Sequence, residues 1–283
     1  MLDNINKKIM EGIGQRNQSS LKNAWKFSLE LRLSDQKLNR VFQVLDVNFQ
    51  NKKSFQLNKI HNVINCLIAN LIYAKKINQK GYVRYSRQYK EYVRTVYNKL
   101  NISSQYLKEV IKTLVDLNYL ENVKGVNSVF LSRLRATSLL ESLLSKVDAN
   151  ISDIYFDREV IILKDKRKRK VDYFTNNYVS KIKNNLNDYN SLLLSNEITN
   201  PLINKYQSIN KTYYRVFNNN SFKSHGRYYG HWIIDIDDAV RKQTKMNGQR
   251  VKIVDFEASQ IHMAYSFKGI NYFDNTNIHP YNF

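Results

Sequence analysis

A chain of 283 residues with 42% hydrophobic and 12% aromatic residues holds enough apolar material for a buried core, which excludes disorder as its main state. The 45 basic residues against 24 acidic ones leave a net charge of +21, so a polyanion is the expected partner, nucleic acid first and an anionic membrane surface second. The lone Cys66 excludes an intrachain disulfide framework, eight Gly and two Pro argue against Gly-rich phosphate loops, and no apolar run is long enough for a membrane span, so a cytoplasmic protein is expected.

Residues 1–54 form a polar lead-in with one weakly amphipathic patch, Trp25, Phe27, Leu29, Leu31 and Leu38, expected to be helical or irregular. From Leu57 the pattern sharpens: Ile60, Val63, Ile64, Leu67, Ile68, Leu71 and Ile72 recur at spacings of three and four, the mark of a buried helix face. Cys66 lies in that face as a small core residue. A Tyr- and Arg-rich segment follows, with Tyr82, Arg84, Tyr85, Arg87, Tyr89, Tyr92 and Arg94, read as a short strand or turn leading into a second helix that ends near Leu100. Ser103 or Ser104 then caps a third helix whose Leu107, Val110, Ile111, Leu114, Val115 and Leu117 face inward. It should stop at Asn118, a residue that tolerates the left-handed conformation. Two short strands, 119–123 and 129–135, complete this stretch.

Three helices and a small hairpin resemble a winged helix-turn-helix, the likeness lying in LKEVIKTLVDLNYLENVKG followed by VFLSRLRAT, with Asn118 where such domains usually carry Gly. The resemblance implies a recognition helix exposing Ser104, Gln105, Lys108 and Lys112 to a DNA major groove, with Arg133 and Arg135 in the wing. The same arrangement also serves protein contacts alone.

Residues 141–210 read as a helical connector with a basic hairpin, in which 159–164 and 171–174 pair around KDKRKRK. Six cations and one carboxylate in seven residues repel one another unless phosphates or counter-ions neutralise them, so Lys166, Arg167, Lys168, Arg169 and Lys170 are candidates to clamp a nucleic-acid backbone. A nuclear-import signal and a solvated loop are the alternatives. Helices and a turn at Pro201 are expected beyond it.

In residues 211–283, Gly226 and Gly230 bracket Arg227, Tyr228 and Tyr229, and the two tyrosines beside a guanidinium are candidates for stacking on unpaired bases. Asn247-Gly248 signals a hairpin turn, after which an alternating strand carries Asp255 and Glu257 to its end and a helix begins near Ala258. A carboxylate at a strand end turning into a helix is how nucleotidyl-transfer enzymes present a ligand to Mg²⁺. The segment VDFEASQIHMAY resembles the first carboxylate motif of family A DNA polymerases. Matching on the carboxylate makes Asp255 the metal ligand, whereas matching on Ser259-Gln260-Ile261 makes it Glu257. The order of Arg215-Val216-Phe217, Gly226 to Gly230, Arg241, Asn247-Gly248 and Asp255 is also similar to that of replication-type proteins of mobile genetic elements, over residues 55 to the end.

These resemblances imply metal-dependent nucleotidyl transfer, with Arg227 or Arg241 near phosphates. Only 28 residues follow Asp255, without a second acidic strand, so the expectation is the front part of a polymerase-like protein, inactive as it stands. The carboxylates Asp235, Asp237 and Asp238 fit a strand edge or helix start as well as a metal site, and the histidines lack metal-ligand spacing. The whole reads as α+β, mostly helical: a winged helix-turn-helix at 55–140, the connector, then a partial palm-like α/β segment. The expected partner is nucleic acid, with DNA as the first expectation and RNA left open, and no membrane, because the cations are not gathered on one amphipathic helix. A non-enzymatic winged-helix regulator or replication initiator is the alternative.

Overall fold

The computed structural model describes residues 24–45, 49, 51–78, 80–125, 131–203, 210–252 and 259–271. Over these residues the protein is α+β, with seven α-helices and several small sheets. It divides into two units, Met1–Asn196 with Ile203–Ile236, and Glu197–Leu202 with Asp237–Phe283. Among the described residues no helix is long and apolar enough to cross a membrane.

The first unit begins with β1 (Trp25–Lys26), β2 (Leu31–Leu33) and α1 (Asp35–Leu45), and is built around α2 (Ser54–Ile77). Nearly every residue of α2 from Val63 to Ala74 is buried, because its apolar side chains run round the whole helix rather than along one stripe. Two asparagines interrupt that surface, and both find partners in the preceding chain. Asn70 Oδ1 accepts from Trp25 Nε1 at 2.9 Å and from the Ser28 amide at 2.8 Å, while its Nδ2 donates to the Ser28 carbonyl at 2.9 Å. Asn65 Oδ1 accepts from the Leu33 amide at 2.7 Å. The stretch expected to be helical or irregular is therefore a bent pair of short strands. Its signal is the strict alternation of Trp25, Phe27, Leu29, Leu31 and Leu33 with polar residues, a period of two. Cys66 is fully buried beside it, donates to the Ser28 carbonyl, and is pushed up to about 12 by burial, so its thiol is inert.

Four more elements cover α2: β3 (Val83–Tyr85), α3 (Ser104–Asp116), β4 (Leu120–Val123) and β5 (Ser132–Ala136). They form a sheet ordered β1-β3-β5-β4, with β1 parallel to β3 and the rest antiparallel. The helix expected before Leu100 is only a 3₁₀ turn at Tyr89–Tyr92 followed by turns. Its Tyr, Val and Thr residues are weak helix formers. Buried Asn98 replaces it locally, exchanging hydrogen bonds of 2.9 Å with both backbone groups of Ile102. Ser103 caps α3 by accepting from the Tyr106 amide, and Asn118 ends it at φ 59°. The Asn118 amide donates to Val115 and the Tyr119 amide to Leu114, the paired bonds of a left-handed helix stop.

Beyond α4 (Ser138–Lys146), β6 (Ile154–Phe156) pairs antiparallel with β2. Then come β7 (Ile161–Leu163), α5 (Asn177–Leu194), β8 (Ile198–Thr199) of the second unit, β9 (Tyr214–Asn218) and β10 (Ser221–Tyr229). A sheet ordered β10-β9-β7 packs on α5 around Ile161, Leu163, Val179 and Phe217. The expected partner strand at 171–174 is absent. The chain returns from the basic turn through a single bridge, Lys164 to Lys170, and β7 pairs instead with β9 in parallel. Asp172 accepts from the Val96 amide, and Tyr173 packs edge-on against Tyr97 and Phe222, so tertiary contacts claim this segment.

In the second unit β8 pairs with β11 (Lys245–Met246), which pairs with β12 (Gln249–Arg250) after α6 (Asp238–Arg241). Asn247 and Gly248 at φ 52° and 79° make the turn, matching the preference of two-residue hairpins for positive φ. The expected strand end carrying Asp255 and Glu257 lies outside the described residues, and α7 (Ser259–Ser266) follows it.

Replacing Asn70 by Ala leaves the Trp25 indole and the Ser28 amide without their acceptor. The expected loss is about 1–3 kcal/mol of unfolding free energy, read from urea denaturation.

Candidate nucleic-acid interface

The outward side of α3 carries Gln105, Lys108 and Lys112, all exposed, whereas Ser104, expected beside them, is buried at the helix start; Leu107, Val110, Ile111 and Leu114 turn inward. Of the two carboxylates in this helix, Glu109 pairs with Lys52 at 2.5 Å, while Asp116 is exposed in its last turn. Neither Lys108 nor Lys112 has an ion-pair partner among the described residues. The two lysines stand one turn apart and present their charge to solvent.

The expected wing arginines are placed differently. Arg135 makes a bidentate pair with Glu121 of β4, at 2.7 and 2.9 Å, and its guanidinium lies 5.2 Å from the Tyr82 ring. Arg133 is buried, with Nη1 donating to the Leu131 carbonyl, and burial together with the charge of Arg84 lowers its pKa. The register of β5 decides this, since it sets Arg135 opposite an acid and Arg133 opposite a second arginine.

The basic turn divides in a similar way. Lys166 to Lys170 are all exposed, and Lys168 sits at φ 64° in a tight reversal. The Asp165 carboxylate accepts from the Arg169 amide at 2.9 Å and from Arg169 Nε at 2.8 Å, bonds that hold it below the usual carboxylate range. Lys168 donates to Asn218, and Lys170 bends back to Glu30 at 3.5 Å and over the Tyr97 ring. Lys166 and Arg167 keep the outward charge.

The two bracketing glycines, Gly226 in β10 and Gly230 directly after it, have steric reasons. A Cβ on Gly226, at φ 84°, would lie 2.7 Å from Arg215 Nη2 and 2.9 Å from the Phe217 ring. One on Gly230, at φ 107°, would lie 2.7 Å from the Tyr214 ring. Close packing of β10 on β9 therefore requires glycine at both positions. Between them Arg227, Tyr228 and Tyr229 are exposed. Tyr229 is already stacked on Tyr214, with centroids 6.0 Å apart. Tyr228 is half exposed and lines a cavity of about 310 Å³ together with Tyr189, Tyr213, Arg215, Ile182 and Leu186. The Arg215 guanidinium lies 5.1 Å from the Tyr228 ring, and Arg215 Nε donates to the Gly226 carbonyl at 2.8 Å. Aromatic walls, an aliphatic floor and a fixed guanidinium suit a flat, electron-rich ring. Sequence reasoning found Tyr228 and missed Tyr189, Tyr213 and Arg215 as its neighbours. The available signal was the period of two that sets Tyr213, Arg215 and Phe217 on one side of the chain.

Behind this cavity His231 stacks on Tyr213 at 5.0 Å, its Nδ1 accepts from the Ile233 amide, and its buried Nε2 has no hydrogen-bond partner. Burial, with Lys211 nearby, pulls its pKa down to about 4.

Only part of the expected catalytic set lies among the described residues. Arg227 belongs to the first unit, Arg241 to the second, and Asp255 and Glu257 fall outside the described residues. Among the described residues no group of three His, Cys, Asp or Glu side chains is placed to hold a metal, and the expected ligands Asp255 and Glu257 are not among those residues. Asp238 is taken up by Lys242 at 2.8 Å. No protein-family model, curated protein or solved structure matches the chain.

The depressed His231 sets a pH dependence. The unfolded chain takes up a proton near pH 6.5, whereas the fold resists it until about pH 4, so this contribution to stability is complete above pH 6.5 and declines as pH falls toward 4. Thermal denaturation between those values should show the midpoint falling with pH, and His231→Gln should flatten that slope.

Proposed function

We propose that the protein binds duplex DNA through α3, as a winged helix-turn-helix does. Support comes from the element order α2, β3, α3, β4, β5, with β5 between β3 and β4 in the sheet, and from the net charge of +21. The observation that carries the reading is the line of Gln105, Lys108 and Lys112, exposed on a helix whose Glu109 is paired with Lys52. Amides read adenine edges and lysines reach guanine edges or phosphates. Fluorescence anisotropy with a labelled duplex, between about 50 and 200 mM salt, should show affinity falling steeply as counter-ions are released. The double variant Lys108→Ala/Lys112→Ala should lower the slope of log affinity against log salt by about 2. An unchanged slope removes α3 from the interface.

The reading extends to a replication protein of a mobile element with a polymerase-like palm segment. It is supported by the sequence order from Arg215 to Asp255 and by VDFEASQIHMAY. Its test is Mg²⁺-dependent nucleotide incorporation on a primed template. Asp255→Asn should abolish incorporation and leave duplex binding intact. If the parent protein incorporates nothing, the non-enzymatic regulator or initiator is the better description.

A further inference from the structure

The Tyr- and Arg-rich segment after α2 has no part in the α3 face, yet it lines a large recess of the first unit. A cleft of about 810 Å³ opens beside β1 and β3, and its cations come from separate stretches of chain: Lys26, Arg84, Lys90 and Lys170. Lys26 is the register partner of Arg84, and Arg84 faces Arg133 across β3 and β5, so three cations stand abreast on one face of the sheet. Like charges directly opposite one another destabilise a sheet unless something anionic lies over them. Arg84 Nε is buried and has no hydrogen-bond partner.

The acids in the wall do not cancel this charge. Glu30 is flanked by Arg158 and Lys170, each at 3.5 Å, and is already offset. Glu91 is the other carboxylate in the lining. Of the six cations between positions 80 and 99, Lys99 alone has an ion-pair partner among the described residues, Asp157 at 2.7 Å. Tyr89, in the 3₁₀ turn that supplies Lys90, is 69% exposed, outside the lining of the cleft but next to Lys90 in the chain. A recessed cationic groove with an adjacent exposed aromatic ring is how proteins track one unpaired strand, whereas a duplex is met by a protruding helix.

We propose that this cleft holds the phosphate backbone of a single nucleic-acid strand, separately from the duplex face of α3. The proposal rests on the nucleic-acid reading above. The whole protein is titrated into a labelled oligothymidylate of about 16 nucleotides and, in parallel, into a labelled duplex. The variant Arg84→Gln/Lys90→Gln should lose about tenfold in single-strand affinity, lower its salt slope by about 1.4, and leave duplex binding unchanged. Because Arg84 is half-buried, Lys26→Gln/Lys90→Gln, which changes exposed side chains only, is run beside it, with melting midpoints to confirm folding. An unchanged single-strand slope in both variants overturns the cleft, as does equal loss on strand and duplex, which would mean one shared surface. If the parent protein binds duplex and not single strands, the cleft fails while the α3 reading stands. If it binds neither, both fail.

Discussion

A helix as apolar as α2 has to bury its whole circumference, and the two amides it carries inward must then be satisfied without water. An unpaired buried amide costs on the order of 1–3 kcal/mol. The partners available are the backbone groups of Ser28 and Leu33 and the Trp25 indole, so Asn65 and Asn70 set where the amino-terminal strands run along the helix. That register propagates. It puts β1 beside β3 and β2 beside β6, and a slip of one residue would turn Leu31 and Leu33 to the opposite face of their sheet. It also points Lys26 to the sheet face that carries Arg84.

Arg158 bridges β6 and the start of β9. Its guanidinium lies 4.2 Å from the Phe156 ring and 5.0 Å from the Tyr214 ring, with Glu30 at 3.5 Å. Burial lowers its pKa and Glu30 opposes that shift. A planar cation between two aromatic faces joins β6 to β9 without another apolar residue. The same Glu30 reaches Lys170, so one carboxylate positions the amino-terminal strands, the connection to the second sheet and the end of the basic turn.

The surplus charge is thereby sorted into spent and available cations. Arg135 and Arg169 are held by neighbouring acids, Lys170 is bent back, and Arg133 is buried. Lys108 and Lys112 on α3, Lys166 and Arg167 at the turn, and Lys26, Arg84 and Lys90 in the cleft have no acid assigned among the described residues. Charge counted along the sequence thus overstates the wing and the basic run, and understates the strands before and after α2.

Local physics makes several features legible from sequence alone. The three-and-four spacing announces α2 and α3, Asn118 announces the left-handed stop, and Asn247-Gly248 announces its hairpin, because each depends on residues within one or two turns of chain. The exposure of Gln105, Lys108 and Lys112 follows from the same periodicity. Tertiary structure decided the rest. The parallel pairing of β1 with β3 joins residues some 58 positions apart, as Trp25 to Val83 shows, and the bond from Lys170 to Glu30 spans 140. No local pattern encodes such partners. The strand expected at Val171–Phe174 lost its place to Val96 and Tyr97, and Gly226 and Gly230, which look like a binding motif in sequence, answer to side chains on the facing strand. Sequence sets which residues are cations and aromatics; only folding sets which of them meet an acid and which are left facing water, because ion pairing is decided by distances that close between segments far apart in the chain.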